Sequence, residues 1–124
     1  MAVEYPVEVW PRNWLKPVAL VTLREESSYG YELMKRLTTE FGFEELNPGS
    51  LYRNLRRMEQ EGLCKSEWEA SFSSSENGSA NRMYSITEEG EAFLETWVEA
   101  CEQYRRVMGS LSQAYRKRHS AEQR

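Results

Sequence analysis

Three guanidinium groups stand close together near the middle of the chain. Arg53, Arg56 and Arg57 fall within residues 46–58, a stretch that contains no acid. A guanidinium presents a planar fork of donors that fits a guanine edge or a phosphate, so this cluster points to nucleic acid as the object bound. Gly49, Ser50 and Tyr52 lie among them and add a hydroxyl, a ring and the backbone amides of a helix start. Covalent and metal chemistry find little to work with. His119 is the lone histidine, which removes His-based metal sites and Ser–His or Cys–His triads. Cys64 and Cys101 are the only thiols, far apart and inside apolar patterns, and read as two buried thiols rather than a redox pair. No enzyme, metal or cofactor is expected.

A helix must hold the arginines outward. If Leu51, Leu55 and Met58 face a core, then at ~100° per residue Gly49, Arg53, Arg56 and Gln60 face out, with Ser50, Tyr52 and Arg57 on the flanks. Asn47-Pro48 supplies a cap and a proline at the first helical position, and Gly62 stops the helix, placing it at about Pro48–Glu61. Upstream, Leu15, Val18, Ala19, Thr22 and Leu23 keep a helical period that Glu25–Ser28 breaks. A second helix is expected from about Ser28 to Phe41, capped by Ser28, with Gly30, Leu33, Met34, Leu37 and Phe41 inside and Gly42 as its left-handed stop. Ser27, Ser28 and Tyr29 at its start are candidate phosphate donors. Downstream, Leu63–Trp68 and Arg82–Ile86 alternate as strands, joined by a serine-rich loop, Ala70–Ala80, with Asn77-Gly78 at its tip. Lys65 and Arg82 sit near the strand bases and are candidate phosphate or minor-groove contacts.

Helix, helix, helix, strand, loop, strand is the order of a winged helix-turn-helix. The fold class expected is mainly α with a small β-hairpin, plus a long C-terminal dimerisation helix. Thr87 caps that helix, with Glu88 and Glu89 in its first turn. Leu94, Trp97, Cys101, Tyr104, Met108, Leu111 and Tyr115 then alternate spacings of three and four, a heptad seam that calls for a homodimer. The organisation expected is an N-terminal arm over 1–13, the DNA-binding domain over 14–86, the dimerisation helix over 87–118 and a frayed tail over 119–124. Pro6 and Pro11 make the arm extended, and Trp10 suits docking on an apolar surface. The composition, with 124 residues, 40% of them hydrophobic and 29% charged, fits a globular chain. Its formal charge of −4 looks wrong for a DNA binder. The acids, however, collect on the last helix at Glu88, Glu89, Glu91, Glu95, Glu99 and Glu102. No apolar run approaches the ~18 residues of a membrane span, and residues 1–20 have neither a basic start nor an apolar signal core, so a cytoplasmic protein with no membrane partner is expected.

Several blocks in order carry a family resemblance. Tyr29-Gly30-Tyr31-Glu32-Leu33, the run from Asn47 to Glu59, Gly62-Leu63, Ser66-Glu67-Trp68 and the run from Asn81 to Gly90 together resemble the PadR family, over about Pro11 to Leu111. Pro11-Arg12-Asn13-Trp14 and Tyr29–Met34 are similar to a branch of polyhydroxybutyrate-responsive repressors. Met83 stands where the family often has a basic residue, and Ser79 and nearby serines where it often has proline and glycines. The resemblance implies dimerisation through the C-terminal helix. It also implies, for some members, an aromatic or hydrophobic small-molecule effector near the interface. Trp10, Trp97 and Tyr104 are the candidates to line that pocket, although aromatics at heptad spacing usually pack as dimer core. The function expected is a sequence-specific regulator of transcription. It would be a repressor that binds double-stranded DNA at a pseudo-palindromic operator as a homodimer and is released by a small molecule. The competing reading is a protein-interaction module that keeps the fold without DNA binding; the acid-free third helix counts against it.

Overall fold

Leucines spaced three and four apart dictate the first three helices. In the computed structural model, which describes residues 14–42, 46–68 and 81–122, these are α1 (Leu15–Glu25), α2 (Gly30–Phe41) and α3 (Pro48–Gln60). The arm with Trp10, the turn residues 43–45 and the wing loop Ala70–Ala80 lie outside the described residues. Helix α1 buries Val18, Ala19, Leu20 and Leu23, α2 buries Leu33 and Leu37, and α3 buries Leu51, Leu55 and Met58. These apolar stripes form one core, since each helix alone would leave its stripe in water. The last carbonyls of α1 are satisfied from α2: the two Arg36 Nη atoms donate to Thr22 O at 2.7 Å and Glu26 O at 2.9 Å.

The start of α2 differs from the sequence expectation. Ser28 does not cap it. Ser28–Tyr29 form a two-residue strand, β1, and the helix begins at Gly30 with Glu32 Oε1 accepting the Tyr29 N–H at 3.4 Å. The wing strands β2 (Cys64–Trp68) and β3 (Arg82–Ile86) pair antiparallel, and β1 adds to the other edge of β3, in the order β1-β3-β2. Ser28 lies opposite Tyr84, which lies opposite Ser66. Two residues are too few to show an alternating pattern, so β1 has no signature of its own. The inner face of the sheet puts Cys64 and Tyr84 into the core.

Helix α4 (Glu88–Glu122) starts where the sequence places it. Thr87 Oγ1 accepts the Gly90 N–H at 3.0 Å, as an N-cap does, and donates to Gly62 O at 2.6 Å. Gly62 turns the chain out of α3 at φ 81°, a left-handed conformation that favours glycine. Gly90 meets the Leu63 carbonyl so closely that no Cβ would fit. The chain divides into two compact units, Met1–Leu94 and Glu95–Arg124. Leu94 is 6% exposed and belongs to the core of the first unit. That corrects its assignment to the seam: a position that continues a heptad can still be consumed by its own domain. The helix also runs to Glu122, past the frayed tail expected from residue 119.

Candidate nucleic-acid interface

The third helix is built to present its arginines. Asn47 Oδ1 accepts the N–H groups of Gly49 at 2.7 Å and Ser50 at 3.3 Å, and Pro48 has no N–H to satisfy. With Leu51, Leu55 and Met58 buried beneath, Arg53, Arg56 and Arg57 are exposed. Among the described residues none of the three is in an ion pair. The Arg53 guanidinium reaches back over the first turn, where a Cβ on Gly49 would stand 3.4 Å from its Nη1. The amides of that turn are already taken by Asn47. Gly49 and Ser50 therefore offer a positive helix end through its dipole rather than free donors, and Ser50 keeps its hydroxyl half-buried on the flank. Tyr52 packs at the edge of the core, and burial raises its phenol above the usual tyrosine range.

The other sites expected from sequence fare unequally. Ser28 is 2% exposed and its hydroxyl donates to Tyr29 O at 3.2 Å, so it leaves the set of DNA contacts. Tyr29 is half-buried and stacks on Tyr31 with centroids 5.6 Å apart. Tyr31 is exposed at the first turn of α2. Lys65 and Arg82 part company. Side chains alternate across a sheet, and the register sets Lys65 with Ser85 and Met83 on the outer face but Arg82 with Trp68, Ser66 and Tyr84 on the inner one. Lys65 is exposed. Arg82 is half-buried, with Nε bonded to Ser66 Oγ at 2.7 Å and the guanidinium 4.9 Å over the Trp68 ring.

On the second unit, α4 exposes the remaining seam. Tyr104, Leu111 and Tyr115 are 56%, 62% and 66% exposed, with Met108 beside them and Trp97 and Cys101 half-buried. Val98 and Val107, which the seam did not include, widen this apolar face. Tyr115 stacks on His119 at 5.7 Å. Trp97 and Tyr104 share this face two turns apart; Trp10 lies outside the described residues. Cys64 is the buried thiol expected. Burial, with the nearby Glu59 carboxylate, pushes its pKa up to about 12. Among the described residues no helix is long and apolar enough to cross a membrane.

A helix-turn-helix whose second helix carries outward arginines, with a β2–β3 wing beside it, is the architecture of a DNA-binding regulator. The chain matches the transcriptional regulator PadR-like family over residues 19–96 and belongs to that family. It is a transcriptional regulator, not an enzyme. Among solved structures it is similar to a PadR-like transcriptional regulator from Bacillus cereus, at 30% identity and a TM-score of 0.67 over 80% of this chain and 91% of that one. It is likewise similar to a PadR family transcription regulator from Clostridium difficile, at 27% identity and a TM-score of 0.66 over 80% and 98%. A transcriptional regulator from Clostridium thermocellum gives 25% identity and a TM-score of 0.68 over 80% and 90%. No curated protein matches the chain.

Proposed function

We propose that the protein is a repressor that binds a pseudo-palindromic operator as a homodimer, with α3 of each protomer in a major groove. The observation that carries this reading is the outward Arg53, Arg56 and Arg57 face on a capped helix whose inner face is fully buried. A solvated arginine face is the bland alternative; the exposed Lys65 on the wing beside it favours DNA. The apolar face of α4 from Trp97 to Tyr115 supports a second copy as partner, because such a patch left in water is costly. A two-fold dimer then requires half-sites about one helical turn, ~34 Å, apart or a multiple of it. An aromatic or hydrophobic small molecule meeting Trp97 and Tyr104 at that interface would act as the releasing effector.

Selection from a pool of random duplexes tests the reading. Enrichment of an inverted repeat, with the complex sedimenting as a dimer on DNA, is the expected result. A chain that enriches no duplex returns the interaction-module reading, and a clean monomer at micromolar concentration removes both the palindrome and the interface pocket.

A further inference from the structure

Arg82 and Ser66 occupy the face of the wing that looks toward α3, and their hydrogen bonds run in one direction. Arg82 Nε donates to Ser66 Oγ at 2.7 Å, and Ser66 Oγ lies 2.5 Å from Glu59 Oε1. An arginine only donates and a carboxylate only accepts, so the single hydroxyl proton of Ser66 goes to Glu59. All three side chains are half-buried. Their charged ends strengthen both bonds. The guanidinium also lies 4.9 Å over the ring of Trp68, its cross-strand partner. The relay thus ties β3 to β2 and β2 to α3 along the strands beyond Cys64 and Tyr84, where the apolar core ends.

We propose that Glu59, Ser66 and Arg82 form a latch that fixes the wing against the recognition helix and so sharpens the choice of operator. Arg82 is a positioning residue in this scheme and does not grip phosphate. The proposal rests on the DNA-binding reading. Recognition groups must be held within about 0.5 Å of their working geometry; β1 pairs with β3 alone, and the relay adds a direct tie from β2 to α3.

Binding of a selected operator and of a random duplex, each measured across a salt series, tests the latch. Ser66→Ala and Glu59→Ala should lose about tenfold in operator affinity, the value of one such hydrogen bond, while random-duplex affinity and the salt slope stay unchanged. Ser66→Thr still donates and should bind as wild type, and Glu59→Gln still accepts, without the charge, and should lose less than Glu59→Ala. Arg82→Lys keeps the charge but cannot present the Nε donor to Ser66, and should behave like Ser66→Ala. The proposal is overturned if Arg82→Lys binds as wild type while Arg82→Ala lowers the salt slope by about one, the mark of a phosphate contact. Amide exchange on the free protein reads the latch without DNA. In Ser66→Ala the amides of Cys64–Trp68 and Arg82–Ile86 should exchange faster while those of α1 and α2 hold. Unchanged exchange defeats the latch, whereas failure to select any operator defeats only the DNA-binding reading.

Discussion

Replacing Thr87 by alanine removes one oxygen that serves two elements. The Thr87 hydroxyl accepts the Gly90 N–H at 3.0 Å, closing the first turn of α4, and donates to Gly62 O at 2.6 Å, closing the turn that leaves α3. Loss of an N-cap side chain costs about 0.5–2 kcal/mol. Loss of the bond to Gly62 O adds about 0.5–1.5 kcal/mol, because the half-buried carbonyl is left short of a partner. Together the change should destabilise the first unit by about 2 kcal/mol. For a domain of this size that lowers Tm by about 10 °C. Thr87→Ser keeps the oxygen and both bonds and should stay within about 0.5 kcal/mol of wild type. Thermal unfolding followed by circular dichroism compares the three proteins. If the alanine and serine variants unfold together at the wild-type temperature, the shared oxygen does not hold this junction and the argument fails.

Arg53→Ala and Arg56→Ala should each weaken operator binding by about 1–3 kcal/mol where the side chain forks onto a base, measured by titration with the selected operator. Wild-type affinity in both would mean that α3 does not read DNA. Lys65→Ala should weaken operator and random duplex alike and lower the salt slope by about one, since Lys65 stands on the exposed face of the wing. Leu111→Glu should split the proposed dimer in sedimentation without harming the fold, because Leu111 is exposed in the protomer and would be covered only by a partner. Cys64 should resist thiol reagents in the native protein and react only on unfolding. The raised Cys64 pKa means the folded state favours the neutral thiol. That contribution to stability is full below pH about 9 and declines as pH rises toward about 12, a trend that Cys64→Ala should flatten in alkaline unfolding curves.

Much of the winged helix was legible in the sequence because its signals are local. Asn47-Pro48 caps α3 through its own side chain, Gly42 and Gly62 end helices by adopting φ 70° and 81°, and Thr87 caps α4 three residues before the amide it receives. The buried stripe of α3 follows from 3.6-residue periodicity alone, and with it the outward arginines. The family resemblance needed only blocks of residues in order. What depends on partners distant in the chain was not legible. Strand β1 exists because β3 offers its free edge to Ser28 and Tyr29, and no property of two residues announces that. Leu94 continues the heptad yet packs on the winged-helix core, a choice made by the surface it meets rather than by its spacing. Lys65 and Arg82 look equivalent as two cations at a hairpin base. Only the strand register, which sets Trp68 opposite Arg82 and Lys65 opposite Ser85, sends them to opposite faces of the sheet. One remains in water, and the other bonds to Ser66, whose hydroxyl reaches Glu59 on α3.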